Sequence, residues 1–167
     1  QPINVVNRTG GSGLVGHTAM AQSAADGYTI GTINVDLSQL VCQGLTDLSA
    51  DKFTQIALLN VEHSAVIVNA KSEFDTLAEA IEAIKSNPPG TFTASGSGTG
   101  SIYHLAWVGL MAAAGIEPDR VTWVPSQGGG PSLQDVSSGA VDFITPPLSD
   151  SKALLDAGTI KSLGTMS

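Results

Sequence analysis

Short apolar runs recur along the chain, and several are followed first by Gly, Ser and Thr and then by apolar residues at helical spacing. Ile3 to Val6 reads as a strand, residues 7–13 as a glycine-rich loop, and residues 14–24 as a helix carrying Val15, Ala19, Met20 and Ala24. Tyr28 to Thr32 reads as the next strand, Leu37 to Leu48 as irregular or weakly helical, and Phe53 to Leu59 and Ala65 to Asn69 as two more strands. Thr76 and Glu79 have the spacing of a capping box, and Leu77, Ala80, Ile81 and Ile84 behind them share one helical face. Three further units follow. Phe92 to Ala94, Arg120 to Val124 and Ala140 to Ile144 read as strands, with loops at 95–101, 125–131 and 145–149 and a helix after each. The helix opening at Ile102 is apolar nearly all round and stops near Gly115, and Lys161 to Gly164 reads as a last strand. Strand, loop and helix in alternation predict an open, mainly parallel α/β sheet, whose ligands bind beyond the carboxyl ends of the strands.

The loop from Ser95 to Ser101 is built only of Ser, Gly and Thr and leads straight into a helix. The first amides of a helix lack partners along their own chain, and the helix dipole favours an anion beside them. Glycine lets the backbone approach a ligand closely, and hydroxyls add donors without adding charge. The candidate binding residues here are Ser95, Ser97, Gly98, Thr99, Gly100 and Ser101. A serine-capped helix start is the ordinary explanation for one such loop; its recurrence favours a site. Arg8, Gly11 and Ser12 in the first loop, Ser126, Gln127 and Gly128 in the third, and Thr145 in the fourth complete the candidate set. Arg8 is the one cation of these loops, and pairing with a surface carboxylate is its equally good alternative.

Charge narrows the partners. Seven Lys and Arg against 15 Asp and Glu give a net charge of −8, which disfavours nucleic acid and anionic membranes. An anion would have to be held by local dipoles and hydroxyls against that field. The single cysteine, Cys42, excludes an internal disulfide framework and a cysteine-based metal cluster. No apolar run reaches the ~20 residues of a membrane span. Both termini read as interruptions, Gln1 within a strand and Ser167 at the end of another, and no signal peptide is present.

Several chemistries fail on residue type. Gly100 is followed by Ser101 and Ile102, not by the lysine of a nucleotide-phosphate loop, and the 96–100 glycines lack dinucleotide-fingerprint spacing. Ser97 does not sit in G-x-S-x-G. His17, His63 and His104 lack metal-ligand spacing, and no metal or other cofactor is expected. His63 beside Glu62 fits a solvated turn, and His104, in the first turn after the central loop, fits a brace for that loop better than a base. Binding without chemistry is the economical reading. The alternatives are an α/β enzyme handling a small anionic substrate through His104 or His17, and a ligand-sensing domain.

Together, Asn7 to Gly13, Asp26-Gly27-Tyr28-Thr29, Phe53 to Ala57, Ser95 to Ser101 with His104-Leu105, and Val124-Pro125 through Gly128 resemble the Bug family, the periplasmic solute-binding proteins of tripartite tricarboxylate transporters. The resemblance covers nearly the whole chain in order. It implies a two-lobed, type II-like Venus-flytrap fold that holds a small organic carboxylate between its lobes. It also implies a periplasmic location, membrane permease subunits as partners, and no insertion of this chain into the membrane. Carried over, residues 1–64 belong to lobe 1, residues 65–143 form lobe 2, and residues 144–167 make the crossover and return to lobe 1. Family chains are longer, so the chain reads as a fragment with an incomplete first lobe. Where the family usually has Tyr-Lys-Gly after Val-Pro, this chain has Ser126-Gln127-Gly128.

Overall fold

The computed structural model describes residues 2–166. The chain divides into two compact units, one up to Leu58 and one from Leu59 onward. The first unit holds two short helices, α1 (Leu14–Ala21) and α2 (Asp36–Cys42), and buries Leu37, Leu40 and His17. Among the described residues no strand precedes Ala65, which corrects three expectations. Residues 3–6, 28–32 and 53–59 have the apolar content of strands but pair with no strand, and most of their large side chains stand in solvent, Ile3 at 82% and Leu58 at 83% exposure. A strand is a pairing, not a property of one segment, and a marginal two-strand ribbon would not hold these alone.

The second unit is a layered α/β fold. Its five strands are β1 (Ala65–Asn69), β2 (Thr93–Gly96), β3 (Thr122–Pro125), β4 (Phe143–Ile144) and β5 (Ile160–Thr165), in the order β3-β2-β4-β1-β5. β2 pairs in parallel with both β3 and β4, while β1 runs antiparallel to β4 and β5. Four strands therefore share one direction and β1 opposes them. The helices are α3 (Leu77–Ser86), α4 (Ile102–Ala113), α5 (Gly129–Ser138) and α6 (Leu148–Asp156).

Period-two alternation distributes the core. Val66 and Val68 of β1 join Phe74, Ala80, Ile84, Trp107, Met111 and Phe143 on one face, under α3 and α4. Ala65 and Ile67 join Leu133, Val136, Ile144 and Ile160 on the other, with Leu154 and Leu155 of α6 packed against them. Both faces are covered, so β1 reads as a continuous apolar run. Phe143 is fully buried and stacks on Trp107 at 5.3 Å and on Phe74 at 5.7 Å. The expected capping box forms: Glu79 N–H donates to Thr76 Oγ1, and the Glu79 carboxylate accepts from Thr76 N–H. α6 (Leu148–Asp156) and β5 (Ile160–Thr165) follow β4, and β5 has its ladder partner in β1.

Candidate functional site

Parallel pairing fixes where the loops emerge. Gly96 lies beside Pro125 and Ser95 beside Ile144, so β2, β3 and β4 end level with one another. Antiparallel β1 begins at the same edge, where Ala65 N–H donates to Pro146 O at 2.8 Å. The loops after these three strands lead into the N-termini of α4, α5 and α6. Three helix N-termini thus open at one edge of one sheet.

Hydrogen bonds tie these loops together. Ser126 N–H donates to Gly96 O at 3.0 Å, Ser95 Oγ donates to Val124 O at 2.7 Å, and Thr145 Oγ1 donates to Tyr103 O at 2.7 Å. Ser95 and Thr145 are fully buried, so of the residues expected to face a ligand these two have hydroxyls committed to joining strand tips. Ser101 caps α4 by accepting from His104 N–H, and it is buried as well. Ser97, Gly98, Gly100, Ser126 and Gly128 are partly exposed, and Thr99 and Gln127 are exposed. These seven are the expected residues that the loops present at the edge. Gly128 caps α5 at φ 139°, ψ −177°, a conformation open only to glycine.

His104 braces the central loop. Its Nδ1 accepts from Gly100 N–H at 3.2 Å, and its ring meets Trp123 edge-on at 4.9 Å. An imidazole nitrogen that accepts must be unprotonated, and burial pushes the His104 pKa below its ordinary value, favouring that neutral form. Ser101 N–H is likewise taken, by Gly98 O at 3.1 Å.

Tyr103 is the side chain that the sequence did not single out. A Cβ on Gly96 would lie 2.5 Å from Tyr103 Cβ, and a Cβ on Gly129 would lie 2.6 Å from its hydroxyl. That hydroxyl meets Asp150 Oδ2 of α6 at 3.0 Å. The ring fills the space that these two glycines leave, and links the second, third and fourth loops. The missed signal was the pairing of two glycines with one aromatic, far apart in sequence.

The charge around this edge is not cationic. Asp150 lies in the first turn of α6, and Ser149 Oγ donates to Glu62. Lys152 pairs with Asp156 at 2.8 Å, Lys161 with Asp75 at 2.6 Å, and Arg120 donates to the carbonyls of Ile84, Lys85 and Asn87. A separate depression of about 410 Å³ is lined by Glu73, Glu79 and Glu82, a poor place for an anion.

In the first unit Gly10, Gly11, Ser12 and Gly13 take left-handed conformations at φ 122°, 55°, 53° and 90°, and Arg8, Gly11 and Ser12 are exposed. His17, buried beside Gly13, has no protein partner for Nδ1. Among the described residues no group of three His, Cys, Asp or Glu is placed to hold a metal ion, and no helix is long and apolar enough to cross a membrane.

The tripartite tricarboxylate transporter family receptor pattern, TctC, matches residues 1–167. The chain belongs to that family. A protein from the tcbD–tcbE intergenic region of Pseudomonas sp. strain P51 is 27% identical over 169 residues, covering all of this chain and 49% of its own length. BugT of Bordetella pertussis is 27% identical, with 84% of this chain and 43% of its own length covered. The chain therefore spans about half the length of the curated relatives it matches.

Solved structures agree with the fold. A TctC solute-binding protein from Polaromonas superposes with a TM-score of 0.71 at 28% identity, covering 97% of this chain and 54% of its own. An R. palustris protein solved with adipate gives 0.78 at 27%, covering 96% and 54%. The TctC receptors thus share this mixed α/β architecture, and the family and its structural neighbours are transport solute-binding proteins.

Proposed function

We propose that the chain is part of the periplasmic solute-binding component of a tripartite tricarboxylate-type transporter and binds a small organic carboxylate. In this reading the ligand is held by backbone amides and by Ser and Thr hydroxyls, without catalysis, and is delivered to membrane permease subunits. The observation that carries it is the level ending of β2, β3 and β4, which opens the N-termini of α4, α5 and α6 at one sheet edge. Charge-assisted bonds from neutral donors contribute on the order of 1.5–3 kcal/mol each, enough for a few of them to hold a carboxylate without a cation.

Ser97, Gly98, Thr99, Ser126, Gln127 and Gly128 are the residues of the second unit proposed to contact the ligand. Ser95, Ser101 and Thr145 act one step back, by fixing the loops. The adipate found with a 27%-identical relative supports a dicarboxylate as ligand. The engagement of His104 Nδ1 by Gly100 supports binding over acid–base chemistry.

Calorimetry of the chain against adipate, malate, succinate and a matched neutral diamide tests this reading. At least one diacid should bind with micromolar affinity and the diamide should not. Equal binding of acid and amide, or no diacid binding at all, would overturn it.

A further inference from the structure

We propose that Asp150 is a built-in competitor for the amides that open α5, and that the Tyr103 hydroxyl holds it away from them. The pair thereby sets how tightly the loops take a carboxylate, an inference that rests on the carboxylate-binding reading above. Asp150 brings a carboxylate, the very group proposed for the ligand, to the edge where helical amides lie open. Its Oδ2 lies 3.7 Å from where a Cβ on Gly129 would sit, and 3.0 Å from the Tyr103 hydroxyl. Gly129 and Gly130 begin α5, and the first amides of a helix have no partner along it. An aspartate carboxylate beside such amides accepts from them readily, as it does at helix caps.

Three features decide which partner Asp150 keeps. Tyr103 is fixed at its backbone by Thr145 Oγ1, and at its ring by the lack of a side chain on Gly96 and Gly129. Its hydroxyl therefore meets Asp150 from a fixed position, and a bond from a preorganised donor loses little freedom on forming. Lys152, two residues along α6, pairs with Asp156, and Ser149 donates to Glu62. Neither of these neighbours engages Asp150, which the Tyr103 phenol holds beside the start of α5. With the phenol removed, the carboxylate turns to the amides, fills them from within and repels an incoming anion.

The test separates the pair from the ligand. In the ligand-free 167-residue chain, the amide resonances of Gly129 and Gly130 should move in Tyr103→Phe and return toward wild type in Tyr103→Phe/Asp150→Asn. In titrations with adipate, Tyr103→Phe should weaken binding on the order of tenfold, Asp150→Asn should tighten it, and the double variant should match Asp150→Asn. A merely structural tyrosine would weaken binding equally with and without Asp150. That result, or unmoved Gly129 and Gly130 amides in Tyr103→Phe, overturns the proposal. If the amides move as expected while wild type ignores adipate and every other diacid, the competitor stands and the carboxylate-binding reading fails.

Discussion

The Thr145 hydroxyl donates to the carbonyl of Tyr103 at 2.7 Å, joining the tip of β4 to the first turn of α4 across 42 residues of sequence. Both the threonine and the strand that leads to it are fully buried. This bond sets the spacing between two loops that end on different strands. Thr145→Val keeps the shape and removes the donor. It should lower unfolding stability by about 1–2 kcal/mol in denaturant titrations. A change within error would mean that the bond does not hold the loops.

Gly96 is required by space. Its φ is not left-handed, but a Cβ there would lie 2.5 Å from Tyr103 Cβ and 2.9 Å from the Trp123 ring. Tyr103 Cβ is anchored to helix backbone and cannot swing aside. Gly96→Ala should therefore destabilise by about 1–3 kcal/mol, as overpacking does. It should also shift the fluorescence of Trp123. An alanine accommodated without cost would show that α4 slides freely on β2.

The aromatic stack carries the core. Phe143→Ala removes a fully buried ring from between Trp107 and Phe74 and should cost about 3–5 kcal/mol. Against a usual domain stability of about 5–15 kcal/mol, that brings the second unit close to unfolding at 37 °C. Thermal melts of the variant test this directly.

His104 makes the loop sensitive to acid. Burial lowers its pKa in the folded state below the ordinary 6.5, so the unfolded chain binds a proton more readily. The stability it contributes is present above pH 6.5 and is lost as pH falls through that value toward the folded pKa. Protonation also destroys Nδ1 as the acceptor for Gly100 N–H. Between pH 7.5 and 5.5 the melting temperature should fall more in wild type than in His104→Asn, whose amide oxygen can still accept. Equal slopes would remove the histidine from the brace.

Much of the second unit was legible because local signals and tertiary packing agree there. Ala65 to Asn69 is a short apolar run that becomes β1, Thr76 and Glu79 do form a capping box, and Ile102 does open α4 behind a Ser/Gly/Thr loop. The glycine loops fall at one sheet edge as the strand–loop–helix alternation implies. In the first unit the same reasoning fails, since an apolar pattern shows what a segment would pair with and cannot supply the pair. Ile3, Ile30 and Ile56 are exposed for that reason.

The loops at this sheet edge were legible, but their division of labour was not. Ser95 and Ser97 look alike in sequence, yet Ser95 lies within β2 and is buried with its hydroxyl on Val124 O, while Ser97 lies past the strand's end and is partly exposed. Tyr103 and Asp150 lie 47 residues apart, a contact that no local pattern encodes.

The central claim is that neutral amides and hydroxyls at the tips of β2 and β3 take the carboxylate. Its most direct measurement is an amide chemical-shift titration of the chain with adipate, repeated on Ser97→Ala/Thr99→Ala. The account predicts saturable shifts centred on residues 97–100 and 126–130, and an affinity reduced about tenfold or more in the double variant. Shifts that leave these residues untouched, or an unchanged affinity in the variant, would contradict it.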